Sequence, residues 1–180
     1  EVSRPLPEII REVSQLADQG YKEVQLLGQN VNSYYWQGVD FADLLAAVNE
    51  VPGIERIRFI TSHPKDCSDK LIDACASLEK VCTNFHLPVQ SGSNRVLRRM
   101  KRFYTKEHYL ELIQKVRDRV PGATISTDII VGFPDETDED FEETYDLLEN
   151  ARWDSAFIFM YSPREGTKAA QWIDSVPLEA

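Results

Sequence analysis

No stretch of the sequence approaches the roughly 18 consecutive apolar residues a membrane-spanning helix requires, so no membrane partner is expected. Cysteine is scarce. Cys67, Cys75 and Cys82 stand alone, without the close spacing that an iron–sulfur cubane or a structural zinc site demands. An odd, scattered set with no secretion signal reads as reduced thiols in a cytoplasm. His63, His86 and His108 are equally dispersed, so no metal ligands are assigned. Positive charge is in deficit: 20 Lys and Arg against 30 Asp and Glu give a net charge of −10. That excludes a surface-wide nucleic-acid footprint and leaves room only for a local basic patch. Also missing are paired carboxylates with a clear acid–base assignment and a Ser-His-Asp set.

Low-complexity segments and long linkers are absent too, so the 180 residues read as one domain with a real core. The opening Glu1-Val2-Ser3-Arg4-Pro5 is neither a signal peptide nor a natural initiator, and Val176-Pro177-Leu178-Glu179-Ala180 stops without closure. Both ends read as boundaries inside a longer protein.

Helical and strand-like periodicities alternate along the chain. Pro5 and Pro7 open a helix with an Ile9, Val13, Leu16, Ala17 stripe that stops at Gly20. A strand follows over 22–28. Asp40 caps a helix carrying Phe41, Leu44, Leu45 and Val48, before a strand over 56–61. Ser68 starts a helix with Leu71, Cys75 and Leu78 on one face, and 83–89 is a strand. Helices over 94–102 and 106–119 (capped by Thr105), a strand over 123–131, a helix over 138–150 and a strand over 156–161 complete the order αβαβαβααβαβ. Strands recurring at this interval are the mark of βα units. A leading helix implies a preceding strand, which gives six units. The first choice is therefore an α/β partial (βα)6 barrel of parallel strands lacking its first strand, and the second a doubly wound open sheet. The strand over 22–28 then lacks a neighbour, and such an edge is expected to be met by a tail, the last strand or a second copy.

Alternation along the strands puts Ser126 and Asp128 on one face and Ile125, Thr127, Ile129 and Val131 on the other. Gln25, Arg58, His86 and Asp128 are candidates for a polar belt in a barrel lumen, either a binding surface or a buried supporting network. The carboxyl ends of the strands, where βα barrels carry their chemistry, are all polar or glycine-bearing. They read GQNVN (28–32), TSHP (61–64), PVQSGS (88–93), VGFP (131–134) and YSPR (161–164). Carboxamides, hydroxyls and exposed backbone suit a neutral, many-armed ligand such as a nucleoside or an amino acid.

Arg95, Arg98, Arg99 and Arg102 fall on one helical face, where like charges repel by roughly 0.2–0.5 kcal/mol per pair. Either acidic neighbours or phosphates must compensate, and the arginines are RNA-contact candidates. Thr137 with Asp140 approximates a capping box at the head of the acidic run.

Taken together, GQNVNSY (28–34), TSHP, HLPVQSGS (86–93), MKRFYT (100–105), DIIVGFPDET (128–137) and FMYSPREGT (159–167) resemble the radical S-adenosylmethionine core of the tRNA methylthiotransferases, nearest to the MiaB branch. The likeness runs over the whole chain, with departures at Phe103, Asp135 and Glu165, where the family has Gly, Gly and Pro. The resemblance implies methylthiolation of isopentenyladenosine beside the anticodon of tRNA. The implied cofactors are S-adenosylmethionine and [4Fe-4S] clusters, and an external electron donor reduces them. It also implies that the CxxxCxxC cluster loop, an amino-terminal cluster domain and a carboxyl-terminal TRAM domain lie outside residues 1–180, leaving this radical SAM core inactive alone. By motif position, Gly28, Gln29 and Asn30 would meet the methionine amino group. Gln90, Ser91, Gly92, Val131, Gly132 and Phe133 would meet the ribose and adenine, and Ser62, His63, Asp128, Tyr161 and Ser162 would line the same mouth. A sister methylthiotransferase acting on another modified adenosine or a ribosomal protein, an unrelated βα-barrel enzyme and a non-catalytic RNA-binding scaffold are the competing readings.

Overall fold

A computed structural model describes residues 2–60, 62–172 and 176. The chain divides into two compact units, one of residues 1–87 with 114–124, the other of 88–113 with 125–180.

In the first unit, α1 (Leu6–Asp18) begins behind Pro5, and Pro at the first helical turn sacrifices no hydrogen bond. The parallel pair β1 (Glu23–Leu26) and β4 (Arg56–Phe59) matches Val24 with Ile57 and Gln25 with Arg58. Between them comes a hairpin, β2 (Tyr35–Trp36) and β3 (Val39–Asp40), closed by Gln37 and Gly38, both at positive φ. That is the twist a two-residue hairpin turn favours. The sequence reading did not anticipate it, because the strands are only two residues long.

Asp40 then caps α2 (Phe41–Asn49) in a reciprocal box with Asp43, and Lys70 Nζ contacts both carboxylates at 2.9 and 2.6 Å. Ser68 caps α3 (Asp69–Ser77) by accepting from the Leu71 amide at 3.2 Å. β5 (Asn84–His86) buries Phe85, which meets Phe59 edge-on, as Phe59 meets Phe41. Cys75 is buried beside Ile72 and Leu71 as part of this core.

The opposite sheet face is polar. Arg58 pairs with Glu23 at 3.2 Å and donates to Asn84 at 3.1 Å, while Gln25 is exposed. These groups form a solvated surface cluster, so of the two readings of Gln25 and Arg58 the buried supporting network does not hold. Among the described residues no strand meets the second edge of β1. The tail expected there is tied elsewhere, through the Tyr35 amide to Ser3 Oγ at 3.1 Å and Tyr34 Oη to the Arg4 carbonyl at 2.9 Å.

In the second unit, β6 (Thr124–Val131) pairs in parallel with β7 (Ser155–Met160), Asp128 opposite Phe157. Ile125, Thr127 and Ile129 are buried and Ser126 and Asp128 half-buried, the alternation read from sequence. α4 (Asn94–Arg99), the first part of α5 (Lys106–Arg119) and α6 (Asp138–Ala151) supply Val96, Leu97, Tyr109, Ile113 and Leu147 to its core. Trp153 Nε1 donates to Tyr109 Oη at 3.0 Å. The strands are shorter than the sequence runs: 56–61 ends at Phe59, with Thr61 outside the described residues, and 83–89 shortens to Asn84–His86.

β7 leaves Phe157, Ile158, Phe159 and Met160 all more than half exposed. A flat apolar edge is a template for further pairing. The 180-residue chain should therefore self-associate in sedimentation velocity as concentration rises, and lysines at Ile158 and Met160 should suppress this. A wild-type monomer at every concentration would contradict it.

Candidate functional site

Each strand end must satisfy backbone groups that the short strands leave unpaired. In the first unit, β1 runs into Gly28 and Gln29, both exposed, and then a single helical turn at Val31–Ser33. Asn30 Nδ2 donates to Asp66 at 2.7 Å, fixing the carboxamide, while Oδ1 is buried with no partner among the described residues. Asn32 grips the end of β4 in both directions: its Nδ2 donates to the His63 carbonyl at 3.0 Å and its Oδ1 accepts the His63 amide at 2.9 Å. His63 Nδ1 accepts the Lys65 amide at 3.2 Å. Ser62 is buried and its Oγ has no partner among the described residues.

A cavity of about 920 Å³, in the range of small-molecule sites, opens along β1 and α1 and takes in Gly28, Gln29 and Asn30. An unsatisfied buried polar atom costs on the order of 1–3 kcal/mol. A ligand presenting donors to Asn30 Oδ1 and a polar group to Ser62 would remove that cost.

In the second unit, residue 90 carries the chain out of the sheet. Gln90 donates its amide to the Asp128 carbonyl and accepts from the Ile130 amide, both at 2.9 Å. It is buried and held at φ +74°, a left-handed conformation uncommon in residues with a Cβ.

The next three residues are fixed by α6. Ser91 Oγ lies 3.3 Å from Thr144 Oγ1, the Gly92 amide donates to the same oxygen at 2.9 Å, and Ser93 Oγ donates to Asp140 at 2.5 Å. A Cβ at position 92 would stand 2.4 Å from the Glu143 carbonyl oxygen and 2.5 Å from Thr144 Cα, so only glycine fits. Ser91 and Gly92 are fully engaged in this packing. Of the segment 90–92, only the Gln90 side chain lacks a bonded partner among the described residues.

Asp140 is the hub. Beyond closing the predicted capping box with Thr137, it receives Ser93 and a two-nitrogen grip from Arg95, whose guanidinium also reaches the Asp135 carbonyl. Burial alone would raise its carboxyl, but these donors together hold it well below the usual carboxylate range. Arg99 pairs with Asp135 at 2.5 Å and lies 4.5 Å over the Trp172 ring. Of the four arginines expected to face RNA, Arg95 and Arg99 are thus taken by acidic neighbours and an aromatic ring. Arg98 and Arg102 have no ion pair among the described residues.

The end of β6 turns at Gly132 (φ +71°) and Asp135 (φ +66°). Asp135 holds a conformation that glycine favours and pairs there with Arg99. Glu136 accepts the Phe133 amide at 3.0 Å, and burial pushes its carboxyl above its ordinary value. Phe133 is buried edge-on to both Tyr161 and Trp172, at 5.2 and 5.9 Å. Tyr161 Oη is buried without a partner among the described residues, Val131 and Asp128 are half-buried, and Ser162 is exposed.

Sequence reasoning missed Asn32, Asp66, Thr144 and the reach of Asp140, because each acts through a contact distant along the chain. The cysteines do not build a cluster site. Burial pushes the Cys67 and Cys75 thiols up to about 12, and no three His, Cys, Asp or Glu side chains group to hold a metal among the described residues.

Residues 1–148 match the radical SAM superfamily. The tRNA-2-methylthio-N(6)-dimethylallyladenosine synthases of Syntrophomonas wolfei and Alkaliphilus oremlandii are 57% and 59% identical to this chain, over 99% and 95% of it. The chain spans 41% and 37% of their lengths. Among solved structures, the radical S-adenosylmethionine methyltransferase TsrM from Kitasatospora setae superposes with a TM-score of 0.69 over 87% of this chain and 31% of its own, at 17% identity. Methylornithine synthase gives 0.63 over 93% of this chain and 48% of its own, at 16% identity. These likenesses establish the fold.

Two substitutions test the seat of the loop. Gly92→Ala should destabilise the folded chain by about 1–3 kcal/mol or more, because backbone cannot retreat as a side chain can. The Asp140 carboxyl titrates lower folded than unfolded, so its contribution is complete above about pH 4 and lost as pH falls below that. Asp140→Asn should flatten this acid limb in urea titrations, and an unchanged limb would remove Asp140 from the account.

Proposed function

The chain belongs to the radical SAM superfamily, and from that we propose that it is the S-adenosylmethionine-binding core of a tRNA methylthiotransferase that modifies C2 of isopentenyladenosine beside the anticodon. The observation that carries this is the coincidence of unsatisfied buried atoms with the family's strand ends. Asn30 Oδ1, Ser62 Oγ and Tyr161 Oη are three of the five such atoms among the described residues. The near-complete alignment of the chain with two synthases of that name supports the same reading.

In the first unit, Asn30 Oδ1 accepts from the methionine ammonium beside Gly28 and Gln29, and Ser62 and His63 offer a hydroxyl and an imidazole to the same ligand. In the second, Gln90 supplies its carboxamide to the ribose, and Val131, Gly132 and Phe133 give the adenine an apolar wall and exposed backbone. Ser91 and Gly92 act by seating Gln90. Asp128, Tyr161 and Ser162 complete the polar rim. S-adenosylmethionine supplies radical chemistry once its sulfonium is reduced. The cysteines of this chain do not fit a [4Fe-4S] cluster, so the cluster is assigned outside residues 1–180. The resemblance assigns an electron donor, an amino-terminal cluster domain and a TRAM domain there as well. The substrate partner is tRNA, approached by Arg98 and Arg102. No helix is long and apolar enough to cross a membrane among the described residues. A tRNA substrate places the protein in the cytoplasm.

A protein of the relatives' full length carrying this chain should restore the methylthio mark to tRNA from cells lacking it, read by nucleoside mass spectrometry. A product on any other nucleoside would move the chain to a sister branch. The 180 residues alone should stay colourless and EPR-silent after anaerobic iron and sulfide reconstitution, and a stoichiometric [4Fe-4S] signal would overturn the assignment of the cluster elsewhere.

A further inference from the structure

With Arg95 and Arg99 spent on acidic partners, the turn after α4 keeps three cations close together. Arg98, Lys101 and Arg102 have no acidic partner among the described residues, in a chain whose net charge is −10. Next to them Phe103 is 78% exposed. An aromatic ring so exposed adds little to the core.

The turn that presents it is rigid on both sides. The Lys101 amide donates to the Arg98 carbonyl at 3.0 Å and the Arg102 amide to the Leu97 carbonyl at 2.8 Å, with Lys101 at φ +57°. This is the helix-ending motif in which glycine is the favoured left-handed residue. A lysine there keeps a charge at the expense of backbone comfort. On the far side, buried Tyr104 donates to the Val89 and Pro88 carbonyls at 3.0 and 3.1 Å, and Thr105 accepts the His108 amide at 3.3 Å to start α5. Phe103 is therefore held out on a fixed loop, and little backbone order remains to be lost when its ring is covered.

We propose that this turn is a single-strand RNA contact, in which an unpaired base stacks on Phe103 and the flanking phosphates lie against Arg98, Lys101 and Arg102. A planar ring among unpaired cations matches one base and its phosphates, the unit of single-strand recognition. A single exposed ring set among cations lacks the apolar centre of a protein interface. The proposal rests on tRNA being the substrate and adds where an unpaired nucleotide of it is gripped.

The test uses a protein of the relatives' full length carrying this chain and an RNA hairpin with 2-aminopurine in its loop. Phe103→Ala should weaken binding about tenfold with an unchanged salt slope, since a stacked base and no phosphate is lost. Phe103→Trp should bind like wild type and quench the 2-aminopurine, whereas Phe103→Leu, equally apolar without a π face, should behave as the alanine variant. Arg98→Ala with Arg102→Ala should lower the salt slope by roughly 0.7 per lost contact on a single strand. If Phe103→Leu binds and quenches as wild type, the stacking site is wrong while the tRNA reading stands. The stacking site is equally wrong if Phe103→Ala alters oligomeric state or melting temperature and leaves RNA affinity intact, because the ring then covers protein. If the wild-type protein does not bind the hairpin, both proposals fall.

Discussion

Among the glycines the tightest approach is at Gly92, in the seat of residues 91–93 on α6. Gly92 lies so near the Glu143 carbonyl and Thr144 Cα that no side chain fits, and Thr144 and Asp140 fasten the residues on either side. Backbone packed on backbone cannot be adjusted by a rotamer change, so the exit of the chain from the sheet at Gln90 is fixed in its left-handed conformation. The same Asp140 caps α6 and holds Arg95, which in turn reaches the 132–136 turn. One carboxylate thus ties two strand-end segments of the second unit to one helix start, and the orientation of Gln90 and Phe133 follows from it.

The features legible in the sequence were those decided locally. Helix starts at Asp40, Ser68, Thr105 and Thr137 follow from side chains that satisfy amides within the same turn, and each is where residue type placed it. The alternation of Ile125, Thr127 and Ile129 needs only a pleat and one apolar side. The proposed site residues rest on resemblance alone, because a polar strand end by itself looks like any turn.

What stayed hidden depends on partners far along the chain. Arg95 and Arg99 form an exposed basic stripe when only their spacing is considered, yet Asp140 and Asp135, some 40 residues later, neutralise them. The resolution of that ambiguity is residue by residue: two arginines serve the fold and two have no ion pair among the described residues. Asp135 shows the reverse case. An aspartate in a turn looks incidental until its positive φ and its pairing with Arg99 are seen together. The hairpin at Gln37 and Gly38 was missed because two-residue strands carry no period to detect.

The central claim is that the polar strand ends bind S-adenosylmethionine, and hydrogen–deuterium exchange on a full-length protein with reconstituted clusters tests it most directly. Adding S-adenosylmethionine should slow exchange in peptides spanning 28–33, 62–66, 90–93 and 131–136, and leave the already buried amides of α3 unchanged. Protection confined to other segments, or none at saturating ligand, would contradict it.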